Sequence, residues 1–197
     1  DWSSDVCSSD LLRLGLVGRD TLRLRQSLRG LLDRTIGDGW LTHLDRLRGL
    51  EDVVDDPDFR REWRDIKRAN KFRLSNYLHA TIGVELDPTW MFDIQVKRIH
   101  EYKRQHLLVL HSIRQYLRLK ADPGLEIAPR AYVFGGKAAP GYFMAKRIIK
   151  LINAVAETVN GDPEVNRAMK VAFVPNFNVQ SAHLIYPAAN LSEQIST

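Results

Sequence analysis

The stretch Gln95-Val96-Lys97-Arg98-Ile99-His100-Glu101-Tyr102-Lys103-Arg104-Gln105 sets four cations and a histidine between an apolar run and an amphipathic one. Such a grouping asks for an anion. Met91 to Val96 reads as a short buried strand, and Leu107, Leu110, Ile113 and Leu117 recur afterwards as the apolar stripe of a helix over Glu101 to Leu119. Lys97 and Arg98 are therefore expected at a strand-to-helix turn, where free N–H groups and the helix dipole favour a bound phosphate. A solvated basic helix start is the alternative that charge pattern alone supports. Further on, Gly135-Gly136-Lys137 lies between an expected strand and an expected helix. It has neither the Gly-x-x-x-x-Gly-Lys-Ser/Thr spacing of a nucleotide loop nor Gly-x-Gly-x-x-Gly, so its glycines are expected to let the backbone pass closely by a neighbour.

These residues need elements to hold them. Leucines recur among arginines at helical spacing from Leu22 to Ile36, Gly37-Asp38-Gly39 then turns the chain, and a short helix follows over Leu41 to Leu50. Asp56-Pro57 reads as the cap and first residue of a long helix ending near Leu78, with Phe59, Trp63, Ile66, Ala69 and Phe72 or Arg73 as its apolar face. After Asp87-Pro88 the order becomes strand, helix, strand, helix, strand. The strands are Met91 to Val96, Ala131 to Phe134 and Lys170 to Val174. The second helix runs from about Tyr142 to Val159 with Ala145, Ile148, Ile149, Ile152, Val155 and Val159 on one face. Such alternation predicts an α/β fold with a Rossmann-like parallel sheet, and ligands at the carboxyl ends of its strands.

Composition narrows the function classes. The net charge of +5 and pI near 9.4 would suit a polyanion, but 29 basic residues alternate with 24 acidic ones, so nucleic acid is not expected as a partner. No apolar run reaches the length of a membrane span, no secretory signal pattern is present, and no metal site is expected. The single cysteine, Cys7, permits no internal disulfide and suits a reducing cytoplasm. Ser3-Ser4-Asp5-Val6 and Ser8-Ser9-Asp10-Leu11 form a tandem near-repeat with no helical or strand period, read as a foreign scar or else a disordered tail.

The segment from Gln95 to Gln105 resembles the signature of the glycogen and α-glucan phosphorylases, which are pyridoxal-phosphate-dependent glycosyltransferases. Gly135-Gly136-Lys137-Ala138-Ala139-Pro140-Gly141-Tyr142 and Pro187-Ala188-Ala189-Asn190-Leu191-Ser192-Glu193-Gln194-Ile195-Ser196-Thr197 are similar to two further blocks of that family, in the same order. The likeness runs from about Leu31 to Thr197, weakens over Leu12 to Gly30, and is absent before that. It implies part of the C-terminal domain of a GT-B fold: residues 1–11 foreign or disordered, 12–88 helical, and 89–197 an incomplete Rossmann-like domain for cofactor and phosphate.

The resemblance also implies roles. Arg98 and Lys103 resemble binders of substrate phosphate, Lys97 and Lys103 partners of the cofactor's 5′-phosphate, and Tyr102 a contact to glucosyl hydroxyls, with Lys97, Arg98 and Lys103 as the catalytic cations. Gly135, Gly136, Phe177 and Asn178 fall on cofactor-binding positions. His100 either orients Arg98 and its turn or is a structural histidine; Tyr142 either lies near the cleft entrance or packs at a helix start. Phe177-Asn178 stands where the family usually has Tyr followed by Arg or another polar residue, and loss of that phenol removes a hydrogen bond worth about 1 kcal/mol. The implied partners are α-glucan, inorganic phosphate and glucose 1-phosphate, in a cytoplasmic enzyme that dimerises. The family's Schiff-base lysine would lie beyond Thr197, so the chain by itself is expected to be inactive. A stand-alone module for a sugar phosphate or another polyanion is the alternative. Lys120, at the far end of the same expected helix, should be an ordinary solvated lysine.

Overall fold

The computed structural model describes residues 21–195, and the tandem repeat, Cys7 and the closing Ser196-Thr197 lie outside the described residues. The described chain falls into two units. One comprises residues through Arg73 together with Val179–Ala188, and the other Leu74–Asn178 together with the residues from Ala189 onward.

The first unit is helical. Helix α1 spans Thr21–Ile36, tight helical turns cover Asp38–Leu41 and Leu44–Val53, α2 begins at Pro57 and runs to Ile82, and α5 spans Val179–Ala188. The start of α2 follows the capping expectation. The Asp56 carboxylate accepts the backbone N–H groups of Asp58 at 2.8 Å and Phe59 at 3.3 Å, and Pro57 supplies a first residue whose missing N–H needs no partner. Trp40 is buried and its indole N–H donates to Asp33 Oδ1 at 2.9 Å, which fixes the turn after α1. The Pro187 carbonyl inside α5 accepts Lys67 Nζ at 2.9 Å and Asn70 Nδ2 at 3.3 Å. The face expected of α2 is rotated. Phe72 is 58% exposed and Ala69 is exposed, whereas Ile66, Asn70, Lys71, Leu74, Ser75 and Leu78 are buried. Polar Asn70, Lys71 and Ser75 masked this stripe, and Ser75 is buried because its hydroxyl both donates to the Leu86 carbonyl and accepts the Leu86 N–H.

The second unit carries the sheet. Strands β1 (Met91–Val96), β2 (Arg130–Gly136), β3 (Met169–Pro175) and β4 (Leu191–Ser192) form one sheet in the order β3-β2-β1-β4, with every pairing parallel. Parallel neighbours need crossovers, and α3 (Gln105–Ala121) and α4 (Phe143–Gly161) supply them. The strands read as near-continuous apolar runs because both of their faces are covered. Tyr132, Phe134 and Val171 pack with Leu108 and Val109 of α3 and with Ala145, Ile148 and Ile152 of α4 in one core. Burying each Phe, Val, Leu or Ile of this core is worth about 1.5–3 kcal/mol of transfer free energy.

Two expectations for α3 are corrected. The helix does not start at Glu101: Glu101–Lys103 is a separate tight turn, Arg104 follows in the left-handed conformation (φ 51°), and the α-helix begins at Gln105. That turn resets the helix's starting angle. In consequence Leu107, Leu110 and Leu117 are exposed, while Gln105, Leu108, Val109 and Ser112 are buried. Among the described residues no helix is long and apolar enough to cross a membrane.

Candidate functional site

The chain leaves β1 at Val96 and enters an eight-residue excursion before α3, and this excursion holds most of the candidate chemistry. Its first half continues the sheet. Lys97 N–H donates to the Gly135 carbonyl at 3.0 Å and Ile99 N–H to the Lys137 carbonyl at 3.1 Å, so the loop runs alongside the end of β2. Gly135 and Gly136 are the last residues of that strand. A Cβ on Gly136 would lie 2.5 Å from the Lys97 carbonyl oxygen and 2.7 Å from Ile99 Cδ1, so only glycine lets the two backbones approach this closely.

Buried amides and an aromatic group hold the second half. Gln95, 1% exposed, donates from Nε2 to the Lys103 carbonyl at 3.2 Å; Gln105, fully buried, donates from Nε2 to the Arg98 carbonyl at 3.0 Å. The His100 ring lies between Tyr102 and Tyr142, at centroid distances of 5.3 and 5.5 Å. Lys103 Nζ stands 5.6 Å from the Tyr102 ring centre, within cation–π range.

The electrostatics of this loop are those of crowded cations. Burial first, and then the Lys103 charge, lower the pKa of Lys97, with Glu193 opposing them. Burial, Lys103 and Arg98 together lower that of His100. Among the described residues none of Lys97, Arg98 and Lys103 forms an ion pair. Lys97 instead donates to the neutral Gln194 Oε1 at 3.2 Å, a link from the end of β1 to the second residue past β4. In the order β3-β2-β1-β4 the connections diverge between β1 and β4, and such a switch point opens a crevice at the carboxyl ends of the strands. Lys97 stands there.

Lys97, Arg98, Tyr102 and Lys103 thus share one loop, with Gly135 and Gly136 against its base. Phe177 and Asn178 stand farther off. They follow β3, two strand spacings or about 10 Å from β1, after Asn176 in the left-handed region (φ 53°). Asn178 Nδ2 donates back to the Asn176 carbonyl at 3.1 Å. Sequence reasoning assigned nothing to Gln95, Gln105, Glu101 or Gln194. The available signal was a glutamine inside an otherwise apolar strand, since a buried amide needs a local partner. Lys120 is not solvated in the ordinary sense: Nζ lies 3.1 Å from Asp162 Oδ2 and 2.6 Å from Glu164 Oε2.

The fold is thus a parallel α/β sheet of the Rossmann-like class, with a loop at its switch point whose Lys97, Arg98 and Lys103 form no ion pair among the described residues. A family model for carbohydrate phosphorylases matches residues 19–197, and the chain belongs to that family. It is 52% identical over 170 residues to a glycogen phosphorylase of Synechocystis sp., covering 86% of this chain and 20% of that protein. It is 49% identical over 184 residues to a glycogen phosphorylase of Chlamydia trachomatis (93% and 22%), and 48% identical over 170 residues to the muscle form from Bos taurus (86% and 20%). The chain spans about a fifth of the length of the curated relatives it matches.

Proposed function

We propose that this chain forms the phosphate-handling part of a glycogen or α-glucan phosphorylase, which transfers a terminal glucosyl unit from an α-1,4-glucan to inorganic phosphate. The observation that carries this reading is the loop after β1, where Lys97, Arg98 and Lys103 converge at the switch point with no ion-pair partner among the described residues. Clustered cations without counter-charge repel one another, and a phosphate dianion relieves that repulsion.

Arg98 presents a planar fork that matches two phosphate oxygens, and Lys103 adds a point charge beside it. Together they hold the substrate phosphate while Tyr102 meets the glucosyl hydroxyls. The bond between glucosyl C1 and the glucan O4 breaks, C1 bonds to a phosphate oxygen, and the phosphate's proton passes to the departing O4. Positive charge grows on the sugar during this exchange, and cations that fix the dianion beneath it act where charge develops.

The donor set also fits pyridoxal 5′-phosphate, because Lys97, held only by the neutral Gln194, and Lys103 carry no ion pair among the described residues and can meet a second phosphate. Gly135, Gly136, Phe177 and Asn178 complete the positions on that side. When bound, the cofactor supplies a phosphate group for proton exchange with the substrate phosphate. Phe177 offers no phenol there, which predicts weaker cofactor retention than with tyrosine.

Arg98→Ala in the full-length enzyme tests the reading through the phosphate dependence of glucose 1-phosphate release. A KM for phosphate raised about tenfold or more is expected from loss of a charge-assisted pair. An unchanged KM and turnover would overturn the assignment.

A further inference from the structure

We propose that Gln95 and Gln105 are positioning residues for phosphate, acting through the backbone of the two residues that hold it. The inference rests on the reading that Arg98 and Lys103 are the phosphate cations. Gln95 is the next-to-last residue of β1 and reaches forward to the Lys103 carbonyl at 3.2 Å. Gln105 is the first residue of α3 and reaches back to the Arg98 carbonyl at 3.0 Å. The two amides cross the loop from its rigid ends, one from a strand and one from a helix, and each grips the cation-bearing residue nearer the opposite end.

The orientation of both amides is determined, because a flipped amide would set its oxygen against a carbonyl oxygen. Each N–H₂ therefore points at the loop, and each Oε1 is left buried with no hydrogen-bond partner. Burying an acceptor without a partner is unfavourable, and one hydrogen bond made by the same side chain recovers little more than that loss. The glutamines consequently do little for global stability. Their effect is geometric: they remove freedom from a loop otherwise held by the backbone bonds of Lys97 and Ile99, by Tyr142 on Glu101, by Lys97 on Gln194 and by a left-handed Arg104. Arg98 is an exposed residue, and the bond from Gln105 to its carbonyl is only partly buried, whereas the glutamine oxygen is fully buried. Loss of the glutamine thus loosens the loop without unfolding the sheet.

The experiment replaces each glutamine in the full-length enzyme by methionine, which keeps length and removes the donor, and separately by glutamate, which keeps shape and turns the donor into an acceptor. The KM for phosphate, the KM for glucan, turnover and the thermal midpoint are measured, with Arg98→Ala as reference. Misplacing a group by about 1 Å can cost about 10²-fold, so for a smaller shift both methionine variants should raise the KM for phosphate by about tenfold, with the KM for glucan within twofold and the midpoint not lowered. If Arg98→Ala raises the KM for phosphate and the glutamine variants do not, the positioning role is overturned while the phosphate site stands. If Arg98→Ala itself has no effect, the phosphate reading falls and this inference with it. A lowered midpoint with a uniform loss of all parameters in both the methionine and the glutamate variants would mean a purely structural role, and would also overturn the proposal.

Discussion

The Tyr142 hydroxyl donates to Glu101 Oε2 at 2.8 Å while accepting the Glu101 backbone N–H at 3.2 Å. One phenol therefore ties the cation loop after β1 to the residue that precedes α4. His100 packs against the same ring at a tilt of 55°, so the loop is pinned by a group whose sequence context suggests only a cleft entrance or a helix start.

Tyr142→Phe removes both bonds and keeps the ring. Each such bond is worth about 0.5–1.5 kcal/mol net, and less where water competes, so a total loss of about 1 kcal/mol is expected. Urea unfolding should show a lower midpoint at unchanged slope. A midpoint identical to the parent would mean that water replaces the phenol at no cost.

Lys103 and Lys120 stand on or beside the two ends of α3 and should respond oppositely to truncation. Lys103→Ala in the full-length enzyme should lower turnover by about 10²-fold or more, as for other lost stabilisers of developing charge. Lys120→Ala should leave turnover within twofold and cost only some stability, since Lys120 is committed to Asp162 and Glu164. Comparable losses of turnover from both would contradict the assignment of Lys103.

Gly136→Ala must move backbone, because the new Cβ would meet the Lys97 carbonyl oxygen at 2.5 Å. Overpacking of this kind typically costs about 1–3 kcal/mol. Gly141→Ala is the control, with nothing within 4 Å of its added Cβ. Equal thermal midpoints for the two variants would show that the end of β2 yields without strain.

Asp93 gives the fold a pH dependence of definite sign. It is 1% exposed and accepts Arg130 Nη1 at 3.2 Å, yet burial first and Glu193 second push its pKa up to about 6, with Arg130 opposing. A folded value above the unfolded 3.8 means that the folded state holds the proton more tightly. The contribution is complete below about pH 4 and is lost as pH rises through about 6, by at most about 3 kcal/mol. Asp93→Asn should flatten that part of the stability profile measured by urea unfolding between pH 4 and pH 7. Identical slopes in parent and variant would remove Asp93 as the source.

The kinds and order of elements from β1 to β3 were legible in the sequence, because a strand covered on both faces must read as an apolar run and α4 buries one clean stripe. Ala145, Ile148, Ile152 and Val159 are buried as their spacing required. The Asp56-Pro57 helix start was legible for a similarly local reason, since a cap is satisfied within a few residues. Helix α5 was not expected. It is short and carries Pro187, and the carbonyl of that residue is met by Lys67 and Asn70 from far away in the chain.

By itself the sequence determined the family and the clustering of cations after β1, since both reside in residue types and close spacing. Tertiary structure alone decided which stripe of α3 is buried, because leucines line more than one face and the left-handed Arg104 sets the angle at which the helix begins. It alone decided, too, how the cation loop is held. Gln95 and Gln105 meet carbonyls eight and seven residues away within the folded loop, and Tyr142 meets Glu101 from 41 residues away, and a hydrogen bond depends on distances that spacing along the chain does not encode.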